Sequence, residues 1–381
     1  MTQRYIVSHT SIRGIAALLV VFYHLQFGAD VKFSWESATP FFRVGYLWVD
    51  LFFILSGFVI SYSARTDERA PFGWTEVKSF WLLRFARIYP LHLFCLLVLL
   101  AEALAETAVG LVLRKQMVAP DLWSSGSLLN FLEQLLLLNG WGLTGRIGWN
   151  VPSWSISTEM VAYLLFPALA AFMVRGRRVA LVVMGIAAVC FYAWVAATTG
   201  VLDIVKGAAV LRCLAGFSLG MVLYATRAQL DRLSDATLGV LQAAGAVIAL
   251  GTPLLGLNDV AAIPGFFLLV AATWPDRGWL TRPLRTPLLH WLGEISYSVY
   301  LNHFWVLAAW HFVMDRVLRL LGVPPLAGRA VILAGGVALV LAASHYTYRY
   351  IEGPARKAIT RWYRNRTATR VPSLQAEKSP T

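Results

Sequence analysis

The first apolar stretch of the chain reads Ile12-Arg-Gly-Ile-Ala-Ala-Leu-Leu-Val-Val-Phe-Tyr-His24. An α-helix turns by about 100° per residue, so eleven residues bring a side chain back to within ~20° of its starting direction. Arg13 and His24 therefore share one helix face, about 16 Å apart along the axis. Because an ionisable side chain inside a membrane span is costly, this pair predicts a functional site that extends through the depth of a membrane.

The composition predicts an all-α fold, a polytopic membrane helix bundle. Of the 381 residues, 58% are hydrophobic and 14% are charged, whereas a soluble domain carries about 25% charged residues. A crossing helix needs about 17–25 apolar residues, and we interpret ten segments as crossings. They are residues 12–27, 46–63, 90–105, 154–174, 179–197, 208–225, 236–255, 259–273, 292–313 and 330–346. The segment 128–138 is too short to cross easily and contains Glu133, which favours an interfacial or re-entrant helix.

The basic residues orient the predicted bundle. Cytoplasmic loops are enriched in lysine and arginine, and most of the 33 such residues fall on one side when both termini are cytoplasmic. We therefore expect a transmembrane domain over residues 1–348 and a basic cytoplasmic tail over residues 349–381. From Arg361 onward the tail is polar and contains proline, so we expect it to be disordered.

Charge and cysteine usage restrict the possible partners. A net charge of +13 is compatible with nucleic-acid binding, but here it follows from cytoplasmic loops that face anionic lipid headgroups. Cys95, Cys190 and Cys213 all fall within predicted spans, where nothing pairs them. They imply neither a disulfide framework nor a metal site. We expect membrane lipids as partners, no nucleic acid and no metal.

Two arginines precede the third predicted span on its cytoplasmic side. Arg84 and Arg87 lie one helical turn apart in Trp81-Leu-Leu-Arg-Phe-Ala-Arg-Ile-Tyr-Pro90. Paired guanidinium groups suit a phosphate or a carboxylate, because each presents a planar fork of hydrogen-bond donors. The spacing is equally compatible with a positively charged anchor at the membrane surface.

The second predicted span carries an acidic residue and a pair of small residues. Asp50 lies near its outer end, and Ser56 and Gly57 lie near its middle. Small residues allow helices to approach closely, so we interpret Ser56 and Gly57 as packing residues. Asp50 either contacts substrate or is only a charge that the dipole favours at a helix N-terminus.

Glu159 lies near the outer end of the fourth predicted span, in Asn150-Val-Pro-Ser-Trp-Ser-Ile-Ser-Thr-Glu159. Its depth, about 7 Å below the start of the span, matches that of His24. A carboxylate and an imidazole at one depth can act as a general base and the group that orients it. A buried pair that only holds two helices together is the alternative.

The ninth predicted span begins with a polar stripe. Ser296, Tyr300 and His303 follow one another at helical spacing on an otherwise apolar segment. We expect this stripe to face the interior of the bundle, where it either binds a ligand or packs.

In chain order, these segments resemble acyltransferase family 3, a family of integral-membrane acyltransferases. The resemblance rests on Arg-x10-His, Leu-Phe-Phe-x-Leu-Ser-Gly-Phe, Arg-x-x-Arg-x-Tyr-Pro, Trp-Ser-x-Ser-x-Glu and Ile-Ser-Tyr-Ser-x-Tyr-Leu-x-His, and it extends from Ser11 to about Pro354. It implies transfer of an acyl group, most often acetyl, from cytoplasmic acyl-CoA to a hydroxyl of an extracytoplasmic carbohydrate. Lipopolysaccharide, exopolysaccharide and peptidoglycan are the usual acceptors, and the bacterial plasma membrane is the expected location.

The resemblance maps the Arg-x10-His pair onto Arg13 and His24 and the Arg-x-x-Arg pair onto Arg84 and Arg87, and the positions of the other polar residues suggest further roles. We expect Arg13, Arg84 and Arg87 to bind acyl-CoA, and His24 and Glu159 to be catalytic. The expected substrate-binding residues are Asp50, Trp154, Tyr300 and His303. A neutral His24 would take the proton of the acceptor hydroxyl or would itself carry the acyl group. Many relatives have an additional C-terminal esterase-like domain; residues 1–381 contain none, so we expect the membrane domain to act alone or with a partner.

A secondary transporter, or an exporter of a lipid-linked or anionic molecule, is the competing interpretation. Transporters also bury charged residues and polar stripes. Their substrate sites are typically formed by broken helices at corresponding positions of two repeats, and no such pattern is visible in this sequence. The cationic cluster at the cytoplasmic side also favours the acyltransferase.

Overall fold

Helices make up all the regular structure in the part of the chain that the computed structural model describes, residues 5–25, 39–66, 72–112 and 125–368. This confirms the predicted all-α class. The α-helices are α1 (Val7–His24), α2 (Trp48–Ala64), α3 (Trp74–Val112), α4 (Ser125–Leu135), α5 (Ser153–Arg175), α6 (Arg177–Thr198), α7 (Ala209–Leu230), α8 (Asp235–Leu254), α9 (Ala262–Thr273), α10 (Thr281–Leu284), α11 (Pro287–Glu294), α12 (Ser296–Leu320), α13 (Pro325–Thr347) and α14 (Gly353–Ala368). Short 3₁₀ helices precede α2 (Pro40–Leu47) and α9 (Asp259–Ala261), and a π-helical turn (Tyr348–Glu352) joins α13 to α14.

Seven helices within the described ranges are long and apolar enough to cross a membrane. They are Pro40–Ala64, Trp74–Ala105, Ser153–Arg175, Arg177–Thr198, Ala209–Leu230, Asp235–Leu254 and Ala327–Arg366. The other three predicted spans are also helical and correspond to α1, the α9 segment and α12. Polar residues in α1 and α12 and the short length of α9 distinguish them from the seven. Ten crossings, with both termini cytoplasmic, therefore stay a prediction.

The predicted short helix with Glu133 is present as α4. Glu133 is buried, and its carboxylate accepts hydrogen bonds from the backbone N–H and the hydroxyl of Thr144, at 2.7 and 2.6 Å. These contacts join α4 to the segment that leads into α5. They explain how a carboxylate is accommodated beside apolar residues, since a buried charge needs hydrogen-bond partners.

Close helix packing determines how α2 contacts α7. A methyl group at Gly57 would collide with the backbone carbonyl of Phe217, and one at Gly220 would collide with the carbonyl of Ile54. Glycine on both helices therefore lets the two backbones touch, which is a common arrangement between membrane helices. The interpretation of Gly57 as a packing residue is confirmed.

The C-terminal tail is helical further than expected. We predicted disorder from Arg361 onward, but residues 361–368 belong to α14, and residues 369–381 lie outside the described residues. The hydroxyl groups of Tyr363 and Ser79 are hydrogen-bonded at 2.6 Å, which holds α14 against α3. This tertiary contact explains why a polar segment forms an ordered helix.

Candidate active site

The polar stripe of α12 faces the Arg13–His24 face of α1. The Arg13 Nε–H donates to the Ser296 hydroxyl at 3.1 Å, and the His303 Nε2 lies 3.2 Å from the His24 Nδ1. The two helices therefore run side by side in the same direction. The predicted interior orientation of the stripe is confirmed, and both predicted faces meet along their length.

Hydrogen bonds to backbone carbonyls define the tautomers of the two histidines. The His24 Nδ1 lies 3.0 Å from the Val20 carbonyl, and the His303 Nδ1 lies 3.2 Å from the Val299 carbonyl. A carbonyl oxygen can only accept, so in the neutral rings both Nδ1 atoms carry the proton. The His303 Nε2 then accepts from the His24 Nδ1–H. This arrangement leaves the lone pair of His24 on Nε2, the atom that can act as a base.

A cavity of about 1010 Å³ lies beside this helix pair. Its lining combines seven arginine and lysine side chains with two carboxylates, those of Glu159 and Glu294. The basic residues are Arg13, Arg84, Arg87, Arg356, Lys357, Arg361 and Arg364. The excess of positive charge makes the cavity suited to a polyanionic ligand.

The two arginines predicted from their spacing both line this cavity. Arg84 also lies over the ring of Phe80, 5.5 Å from its centroid. Among the described residues, no acceptor forms a hydrogen bond with the buried Nε of Arg84. A buried donor normally has a partner, so this atom is available to an anionic group in the cavity.

One part of the cavity lining is aromatic and uncharged. Tyr300, Phe52 and Ser155 line it, and the hydroxyl groups of Tyr300 and Ser155 are hydrogen-bonded at 2.7 Å. The Tyr300 ring packs edge-on against Phe52 and against His303, with centroid distances of 5.6 and 5.9 Å. The cavity therefore extends from exposed basic side chains to a buried tyrosine that packs against His303.

Glu159 lies in a different environment from the one we expected. Its carboxylate accepts hydrogen bonds from the hydroxyl groups of Ser56 and Tyr163, the latter at 2.5 Å, and all three residues line the cavity. His24 contacts His303, whereas the hydrogen bonds of the Glu159 carboxylate go to Ser56 and Tyr163. Glu159 also attracts Arg84 and Arg13 electrostatically. Ser56, which we interpreted as a packing residue, is therefore part of the cavity wall.

Asp50 and Trp154 are buried within the protein and do not line the cavity described above, so their contact with substrate stays a prediction. Asp50 is fully buried and forms an ion pair with the equally buried Arg212, at 2.6 Å between Oδ2 and Nη2. The Arg212 guanidinium also lies 5.3 Å from the centroid of the Trp154 ring. Trp154 is 4% exposed and packs edge-on against Phe53. The two residues hold α2, α5 and α7 together.

Comparison with known proteins identifies the family. A family model described as an acyltransferase domain, that of acyltransferase family 3, matches residues 10–346. The chain belongs to acyltransferase family 3. The resemblance inferred from the five motifs is confirmed, and the protein is an acyltransferase.

Two relatives illustrate the range of acyltransferase family 3. The acyltransferase MdmB of Streptomyces mycarofaciens is 28% identical over 399 aligned positions, which cover 98% of this chain and 96% of MdmB. The peptidoglycan O-acetyltransferase OatA of Listeria monocytogenes is 24% identical over 93% of this chain. The alignment covers only 56% of OatA, so the chain spans little more than half the length of that relative. No solved structure matches the chain significantly.

Motifs of acyltransferase family 3 did not reveal every residue of the site. Six cavity residues come from α14, beyond the end of the matched region at residue 346. They are Arg356, Lys357, Thr360, Arg361, Arg364 and Asn365. Adjacent pairs that recur every four residues form one face of a helix. This spacing is visible in the sequence, but we expected the segment from Arg361 onward to be disordered and therefore did not predict a helix there. No group of three or more residues that could hold a metal ion occurs among the described residues.

Proposed function

We propose that this membrane acyltransferase transfers an acetyl group from cytoplasmic acyl-CoA to a hydroxyl of an extracytoplasmic carbohydrate. The bacterial plasma membrane is the proposed location. The observation that carries the proposal is the cavity, which is lined by seven basic side chains and by a buried tyrosine that packs against His303 of the histidine pair.

The volume of the cavity and the positive charge of its lining suit an acyl-CoA. Phosphate groups of the donor bind Arg84 and Arg87 through charge-assisted hydrogen bonds, and the buried Nε of Arg84 gains the acceptor that it lacks among the described residues. The pantetheine arm is largely uncharged, so we expect it to occupy the uncharged part of the cavity that Phe52, Ser155 and Tyr300 line. The thioester then lies close to His24 and His303.

The histidine pair supplies the base for the transfer. The His24 Nε2 removes the proton of the acceptor hydroxyl as its oxygen attacks the thioester carbonyl. The new ester C–O bond forms and the C–S bond breaks, and the imidazolium returns the proton to the departing thiolate of CoA. His303 acts as a positioning residue, because its acceptor nitrogen keeps the proton of His24 on Nδ1.

The carbohydrate acceptor is proposed from the relatives. OatA is named a peptidoglycan O-acetyltransferase, and a sugar hydroxyl is the group that such an enzyme esterifies. Trp141 and Trp149 lie in the segment between α4 and α5, and Trp141 is 42% exposed. Exposed aromatic rings can stack on sugars or anchor the protein in the interface. Trp35 and Trp123 also lie in loops between predicted spans and could take the same role, but both fall outside the described residues.

A radiolabel experiment tests the proposal. The purified protein in lipid nanodiscs is given acetyl-CoA labelled in its acetyl group, with and without bacterial cell-envelope glycans. We expect release of free CoA thiol and label in the glycan fraction only when both substrates are present. A transporter would release no thiol. Absence of thiol release with any acyl-CoA and a broad set of acceptors would therefore contradict the proposal and favour the transporter.

Replacing Arg84 by alanine is expected to raise the KM for acetyl-CoA. Charge-assisted hydrogen bonds contribute about 1.5–3 kcal/mol each, which corresponds to a rise of roughly 10- to 100-fold. Initial rates over a range of acetyl-CoA concentrations measure the change. Replacement of Arg227, which lies over Tyr224 and outside the cavity, serves as the control. An unchanged KM for Arg84→Ala would return Arg84 to the role of a membrane anchor.

A further inference from the structure

The face of α14 that borders the cavity carries charge that the family match does not account for. The matched region ends at residue 346, and α14 begins at Gly353. Four of the seven basic side chains in the cavity lining nevertheless come from this helix: Arg356, Lys357, Arg361 and Arg364. Most of the basic side chains in the cavity lining therefore come from outside the matched family domain.

The position of α14 is fixed by polar contacts at both of its ends. Near its C-terminus, the Tyr363 and Ser79 hydroxyl groups are hydrogen-bonded at 2.6 Å. Before its N-terminus, the π-helical turn places Glu352 in the interior, where the Ser298 hydroxyl donates to the Glu352 Oε2 at 2.9 Å. Because α3 carries both Ser79 and Arg84, the basic face of α14 has a defined position relative to the inner arginines.

The basic residues form two groups along the cavity. Arg13 and Arg84 are partly buried within the bundle, whereas Lys357, Arg361 and Arg364 are exposed at its rim. A donor whose thioester reaches Tyr300 must leave its wide, phosphorylated nucleotide end at that rim. The nucleotide of CoA carries a phosphate monoester at its 3′ position, separate from the diphosphate that leads to the pantetheine arm. The inner arginines suit the diphosphate, and the rim suits the monoester.

We propose that the basic face of α14 binds the 3′-phosphate of the CoA nucleotide and makes the enzyme selective for donors that carry this group. The inference rests on the proposed use of acyl-CoA. The chemistry recognised is a phosphate monoester beside a nucleoside, and exposed arginines and lysines bind such a group by charge-assisted hydrogen bonds. An anionic lipid headgroup presents similar chemistry, so the experiment must distinguish the two.

Two variants with the same loss of charge provide the test. The double variant Arg361→Gln/Arg364→Gln removes two rim cations that line the cavity, and Arg349→Gln/Arg366→Gln removes two described cations that lie outside the lining. Arg349 lies over Tyr350 and Arg366 over Trp362. Glutamine is a good helix former, and all four positions are exposed, so we expect both variants to fold.

Equilibrium binding is measured in nanodiscs with adenosine 3′,5′-bisphosphate and with AMP, which lacks the 3′-phosphate. We expect Arg361→Gln/Arg364→Gln to weaken binding of the bisphosphate by about tenfold or more, the equivalent of one charge-assisted hydrogen bond. Binding of AMP should change little, and the control variant should bind both nucleotides as the wild type does. The KM for acetyl-CoA should rise in parallel, whereas the KM for acetyl-pantetheine should not.

The two proposals fail in different ways. Equal binding of the bisphosphate by the two double variants, in an enzyme that releases thiol from acetyl-CoA, would overturn the role of α14 and leave the proposed function intact. A wild type that neither releases thiol nor binds the bisphosphate would overturn both. The alternative ligand is an anionic lipid headgroup. To test it, the binding measurement is repeated in nanodiscs of zwitterionic lipid alone and then in nanodiscs with added anionic lipid. If Arg361→Gln/Arg364→Gln bound the bisphosphate as the wild type does but no longer retained anionic lipid, the rim cations would instead bind lipid headgroups.

Discussion

Replacing His24 by alanine is expected to lower the rate of acyl transfer by about 10²- to 10⁴-fold, the usual contribution of a general base. The variant loses the Nε2 atom that removes the proton of the acceptor. It keeps the cavity, because His24 lies beyond Tyr300 and does not line it. Single-turnover transfer of labelled acetyl to glycan measures the effect. The KM for acetyl-CoA should change little, since the phosphate-binding arginines are untouched.

Variants of His303 separate positioning from catalysis. The amide oxygen of glutamine lies close to the place of Nε2, so His303→Gln can still accept the proton from the His24 Nδ1, whereas His303→Ala cannot. We expect His303→Gln to retain clearly more activity than His303→Ala. His311→Gln, two turns further along α12, is the control for loss of an imidazole from this helix. Full transfer by His24→Ala would rule out the proposed mechanism, and equal loss in both His303 variants would rule out the positioning role.

Replacing Asp50 by alanine is expected to destabilise the bundle by about 3–5 kcal/mol, because it leaves the fully buried Arg212 without its counter-ion. Arg212 donates to both carboxylate oxygens of Asp50 and to the carbonyl of Tyr46, and these bonds connect α7 to α2 and its preceding 3₁₀ helix. It also donates to the carbonyl of Ile204, in the segment that leads into α7. The change in the free energy of unfolding is measured by chemical denaturation in mixed detergent micelles, with circular dichroism as the signal for loss of helix.

A surface ion pair provides the matched control. Asp235 pairs with Arg277 at 2.8 Å, but the two side chains are 67% and 42% exposed. Exposed pairs contribute about 0–1 kcal/mol, so Asp235→Ala should change stability far less than Asp50→Ala. The double variant Asp50→Ala/Arg212→Met should recover part of the loss, because it removes the unpaired charge as well. Equal losses of stability in Asp50→Ala and Asp235→Ala would contradict the structural role of Asp50 and favour its predicted contact with substrate.

Helical periodicity within single segments allowed many of the site residues to be predicted from the sequence. The shared face of Arg13 and His24, the turn between Arg84 and Arg87 and the stripe that ends at His303 depend only on the geometry of one helix. Each of these residues lies in the cavity or in the histidine pair. The family followed from the same motifs, since they occur in order along nearly the whole bundle.

Which side chains contact each other across two helices depends on how the helices pack. The depth of each residue along its own helix does not specify that packing. Glu159 and His24 were expected to pair because they lie at one depth, yet Glu159 contacts Ser56 and Tyr163, and His24 contacts His303. The rotation of each helix about its axis selects the contact. That rotation follows from the close approach of neighbouring backbones across the whole bundle.

The sequence by itself therefore determined the class of protein, the family and the residues that share a face within one helix. Only the tertiary structure decided that Asp50 neutralises Arg212, 162 positions along the chain, and that α14 borders the cavity. Such contacts join segments whose spacing carries no periodic signal, and they form because a buried charge or an amphipathic helix must find a partner somewhere in the folded chain.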